Sequence, residues 1–112
     1  MYNSTYANPN KVNKYIVNDI LEATPQQLLI KVYDFAIVNC QKHNLAKTNA
    51  ALQELINSLR FTDDKVKEVS IGLYKLYQYC QEEMRRQNYD IVYKILTELR
   101  ESWLNAFNSL KE

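Results

Sequence analysis

Glycine is almost missing from this chain: Gly72 is the only one in 112 residues. Proline is nearly as scarce, with Pro9 and Pro25 both early. Turn-forming residues therefore run out after residue 25. A β-sandwich or barrel needs many tight turns, and alternating βα units need glycine-rich connections, so the pattern argues against both. Histidine is reduced to His43. One histidine rules out His–His metal spacing and repeated His relays, and no Glu-x-x-His pair is present to build a di-iron bundle. No glycine-rich loop exists to cradle a phosphate. Cys40 and Cys80 are far apart and form no CxxC motif; they read as reduced core thiols. No apolar run is long enough for a membrane span, and the N-terminus lacks a signal-peptide pattern, which places the chain in the cytosol. A formal net charge of +1 provides no field to hold nucleic acid or an anionic membrane. Together these absences imply no enzyme, no cofactor and no metal. They leave a small all-α protein.

What the chain does have is helical periodicity. Residues 1–23 are rich in asparagine, with Tyr2, Tyr6 and Tyr15 interspersed, and read as an N-terminal arm. Thr24, Pro25 and Gln27 then form a helix start, with Thr24 as cap, Pro25 at the first helical position and a Thr-x-x-Gln capping box. Leu28, Leu29, Val32, Ala36 and Cys40 follow at helical spacing, then Leu45, Leu52, Leu55, Ile56 and Leu59. The second stripe is rotated by about 130° from the first, so one straight helix could not bury both against the same neighbour. A turn near Lys42–Asn44 resolves the conflict; the alternative is one long helix in a swapped dimer.

Thr62-Asp63-Asp64 reads as the next start, with an acidic first turn that complements the helix dipole. Val66, Val69, Leu73, Leu76, Tyr77, Cys80 and Met84 continue it. Asn88 is the expected cap of the last helix, whose stripe runs from Val92 through Leu96, Leu99, Trp103 and Phe107 to Leu110. Short connections make the result an antiparallel up-down-up-down four-helix bundle over residues 24–112. The first two helices span about 25 Å and the last two about 35 Å. If the bundle is level at the Phe61 end, the longer hairpin overhangs at its own turn, leaving Met84, Tyr89, Ile91, Val92 and Tyr93 uncovered. Glu82, Glu83, Arg85 and Arg86 read as a solvated helix end.

Nine tyrosines are the unusual feature of the composition. Tyr33 and Tyr77 fit the bundle core with the hydroxyl at its rim. Tyr74 lies beside Ile71 on a stripe flanking the core of the third helix, and Tyr89 and Tyr93 lie at the expected overhang. Tyrosine is amphipathic and loses little entropy on binding, so these positions also suit a protein interface.

Two stretches resemble the flagellar export chaperone FliS family. The first is Tyr15-x-x-Asn18-x-Ile20-x-x-Ala23-Thr24-Pro25-x-x-Leu28-Leu29, followed by Val32-Tyr33-Asp34-x-Ala36-Ile37. The second is Leu73-Tyr74-x-Leu76-Tyr77-x-Tyr79, followed by Ile95-Leu96-x-x-Leu99-Arg100-Glu101-x-Trp103. The resemblance runs from about Tyr15 to Phe107. It implies a four-helix bundle that binds the C-terminal segment of flagellin, prevents its premature polymerisation and delivers it to the flagellar type III export gate. The client segment would fold into helices along apolar grooves. Matching positions imply that Tyr15, Asn18 and Ile20 belong to an arm that covers the groove, that Tyr33 and Asp34 lie in the Tyr-Asp motif, and that Ile71, Tyr74 and Tyr77 line the groove. Trp103 reads as core. The family's Gly after Tyr-Asp is Phe35 here, where close helix approach would be expected. The alternative reading is a self-associating adaptor or regulator, a homodimer with Tyr89 and Tyr93 buried.

Overall fold

The computed structural model describes residues 25–110; the arm expected over 1–23, including Tyr15, Asn18 and Ile20, lies outside them, as does Thr24. The described residues form four helices: α1 Gln26–Gln41, α2 Leu45–Asn57, α3 Asp64–Arg85 and α4 Tyr89–Leu110. Helix α1 packs on α2 and α4, and α3 packs on α2 and α4. The result is an all-α four-helix bundle.

Local chemistry sets the helix ends. Pro25 precedes α1 with extended backbone, φ −56° and ψ 146°. Its carbonyl accepts the bond from the Leu29 amide at 2.9 Å. Pro25 is thus the cap and not the first helical residue, one position earlier than its fixed φ alone implied. The turn after α1 falls where the two hydrophobic stripes required it. His43 takes a left-handed φ of 59°. Its amide donates to the Cys40 carbonyl, and the Asn44 amide donates to the Asn39 carbonyl. That is the paired hydrogen bonding of a Schellman ending, which satisfies carbonyls that the helix terminus would otherwise orphan. One long α1–α2 helix is therefore not formed. Asn44 then caps α2 by accepting from the Lys47 amide at 3.0 Å. Asp63 caps α3 by accepting from the amides of Lys65 and Val66, both at 3.0 Å.

The core is continuous. Leu29, Tyr33, Ala36 and Cys40 from α1 meet Leu52 and Leu55 of α2, Leu73, Tyr77 and Met84 of α3, and Val92, Leu96, Trp103 and Phe107 of α4. Two residues of the sequence stripes fall outside it: Leu28 is 52% exposed and Leu45 is also exposed. Leu28 sits one residue from Leu29, which turns it about 100° away from the seam. Leu45 is the first helical residue of α2, next to the turn.

The expected overhang is at the other end. The two turns meet: the His43 and Tyr89 rings stack with centroids 3.9 Å apart and planes 9° apart. The Cys40 Sγ donates to the Tyr89 carbonyl at 3.4 Å. Met84 and Val92 are buried, and Tyr89 and Ile91 are partly buried against the core; only Tyr93 stays open. The hairpins are therefore level at their turns. The extra length of α3 extends past the end of α2, and Leu59 in the connection packs over the core there.

Candidate functional site

The centre of the bundle is polar. Tyr33 and Tyr77 are buried, and their hydroxyls meet at 2.5 Å. The Trp103 Nε1–H donates to the Tyr33 hydroxyl at 3.1 Å. Tyr33 reaches the centre because it lies four residues after Leu29 and three before Ala36, on the buried face of α1. Burial pushes the Tyr77 hydroxyl well above the ordinary tyrosine range, while its hydrogen bonds to Tyr33 and Trp103 pull the other way. The hydroxyls thus turn inward, not to the rim. This corrects the assignment of Tyr33 and Tyr77 as protein-binding residues, because neither presents surface to a partner. Trp103 is core, as its position in the stripe implied.

Asp34, next to Tyr33, turns outward. Its Oδ1 accepts from Arg100 Nε at 2.6 Å, tying α1 to α4. The side chains are half and one-third exposed, so the pair orients two helices at a modest energetic gain.

Ile71 and Tyr74 are the sequence-assigned residues that remain open to solvent on α3, Tyr74 at 37% exposure. The Tyr74 hydroxyl accepts from Gln78 Nε2 at 2.8 Å, one turn on, which holds the ring along the helix. A second apolar face was missed. Leu28, Phe35 and Val38 are exposed on α1. They recur at spacings of seven and three, opposite Tyr33, so one stripe of α1 enters the core and another faces out. That double stripe was the signal in the sequence. Phe35 points into solvent, so its size obstructs no helix contact. Beside this face, Ile30, Leu104 and Phe107 line a shallow cleft of about 350 Å³ between α1 and α4.

The turn end carries further polar chemistry. Glu83 is buried, not part of a solvated helix end. It accepts from Asn88 Nδ2 at 3.0 Å and lies 3.4 Å from an Arg86 guanidinium nitrogen. Cys40 and Cys80 are free and buried. Burial raises both thiols, with Asp90 adding to the effect on Cys40; Cys80 is pushed to about 12, with Cys40 and Glu83 contributing after burial. Thiols raised in this way are poor nucleophiles at neutral pH. Among the described residues, no helix is long and apolar enough to cross a membrane, and no group of three or more His, Cys, Asp or Glu side chains could hold a metal ion.

These features define a four-helix bundle with three hydrogen-bonded aromatic side chains at its centre and apolar side chains left open on α1 and α3. The chain matches no family model, no curated protein and no solved structure.

Proposed function

We propose that this chain is an export chaperone of the FliS type, which binds the C-terminal segment of flagellin, keeps it from polymerising and delivers it to the flagellar export gate. The observation that carries this reading is the exposed apolar pair Ile71 and Tyr74 on α3, in the helix whose Leu-Tyr-x-Leu-Tyr sequence resembles that family. The face formed by Leu28, Phe35 and Val38 on α1 adds apolar surface to which an amphipathic client helix can dock. Binding would be the whole mechanism. A disordered client pays several kcal/mol to become ordered, so contact over more than one apolar face is needed to offset that cost.

The test is co-purification of the chain, with and without residues 1–23, with the flagellin of the organism that encodes it. A soluble complex that is lost when flagellin lacks its C-terminal segment supports the reading. A folded bundle that fails to retain flagellin at micromolar concentrations rejects it.

A further inference from the structure

The hydroxyl pair at the centre joins residues 44 positions apart, Tyr33 and Tyr77. The same offset recurs through both hairpins. Leu29 and Leu73, Asn44 and Asn88, Leu52 and Leu96, and Leu55 and Leu99 are identical pairs at this spacing. Leu29, Ala36, Asn39, Cys40, Thr48 and Leu52 are buried, and so is each residue 44 positions later. The backbone hydrogen bonds of the turns correspond. His43 and Gln87 are the non-glycine residues with left-handed φ, 59° and 65°. The amides of His43 and Asn44 donate to the carbonyls of Cys40 and Asn39; those of Gln87 and Asn88 donate to the carbonyls of Met84 and Glu83.

A single coincidence of this kind would mean little, since every helical hairpin buries a stripe. Here identity, burial, turn geometry and hydrogen bonding share one offset, which is the mark of an internal repeat. We infer that the chain is a tandem duplication of one helical hairpin, α1–α2 repeated as α3–α4, related by a pseudo-twofold axis that passes between the Tyr33 and Tyr77 hydroxyls. Each hairpin then offers the other a version of its own face. A surface of that kind is self-complementary, as in a twofold dimer, and the partner it fits is a second copy of this chain. Residues 58–63 between the hairpins are the hinge. Closed on itself, the chain makes one bundle; opened at the hinge, two chains make two bundles by exchanging hairpins.

Deleting Arg60–Asp63 from the full chain tests the exchange, because the two residues then left between α2 and α3 are fewer than the three that each of the other helix turns takes, too few for α2 to turn back onto α3. The expected product is a dimer, with twice the mass of the intact chain by sedimentation and unchanged helical content per residue. A monomer, folded or unfolded, overturns the exchange. A second variant tests the duplication. Residues 25–61 are replaced by a further copy of residues 69–105, so that the second hairpin occurs twice. This chain is expected to unfold cooperatively as a helical bundle, and a chain without cooperative unfolding overturns the duplication. Neither result depends on flagellin binding.

Discussion

The hydroxyl of Tyr33 lies 2.5 Å from that of Tyr77, and the same Tyr33 oxygen accepts from the Trp103 indole. Three helices therefore share one buried hydrogen-bonded chain. Such a chain is costly to break in part, because it leaves desolvated polar groups behind. Tyr33→Phe is expected to lower stability by about 1–3 kcal/mol. The double variant Tyr33→Phe/Tyr77→Phe should lose less than the sum of the two single losses, since it removes both hydroxyls of the pair together. Denaturant unfolding of the four species measures the coupling, and strict additivity would contradict a shared network.

The same burial gives the bundle an alkaline limit. The fold holds the Tyr77 hydroxyl neutral well above its ordinary value of 10, and the Cys80 thiol, ordinarily at 9.0, up to about 12. Both groups ionise more readily in the unfolded chain. Their contribution is complete below pH 9 and is lost progressively from Cys80 between pH 9 and 12, and from Tyr77 above pH 10. Melting temperature is expected to be level from pH 7 to 8.5 and to fall above pH 9. Cys80→Ala should flatten the part of the fall that begins at pH 9, and Tyr77→Phe the part above pH 10.

Gly72 lies inside α3 on its exposed side, and a Cβ added there would meet nothing within 4 Å. No positive φ requires a glycine at this position. Gly72→Ala is therefore expected to stabilise the bundle by about 0.5–1 kcal/mol through the entropy of the unfolded chain and helix propensity. A loss of stability in thermal unfolding would show that the position serves another contact.

The proposed binding surface and the core separate in a pair of truncations. Tyr74 is open to solvent, whereas Trp103 is buried. Tyr74→Ala should leave the melting temperature within a few degrees of the intact chain and weaken client binding. Trp103→Ala should cost about 3–5 kcal/mol of stability. Equal stability losses for the two would remove Tyr74 from the binding surface.

Much of the fold was legible in the sequence because its punctuation is local. The rotated stripes located the break after Gln41, and Asp63 announced α3 through a cap that satisfies its own amides. What escaped were relations between helices. Stripe membership alone put Leu28 in the core, but its neighbour Leu29 holds that place. Helix lengths alone misplaced the overhang, because nothing within one hairpin announces that His43 will stack on Tyr89 of the other. The tyrosine hydroxyls escaped for the same reason: an inward Tyr33 is tolerable only because Tyr77 and Trp103 arrive from other helices to bond it. The candidate surface was half legible. Ile71 and Tyr74 were found from their flanking stripe, whereas Phe35 was read against a family position and not for the outward face it shares with Leu28 and Val38.

The most direct test of the proposed role is a calorimetric titration of the purified chain with the C-terminal segment of flagellin, run alongside Tyr74→Ala. The expected result is saturable binding near one-to-one, in the micromolar range or tighter, weakened at least several-fold by the substitution while the bundle stays folded. Absence of heat and of any stabilisation at micromolar concentrations, with the helical bundle intact, would contradict it.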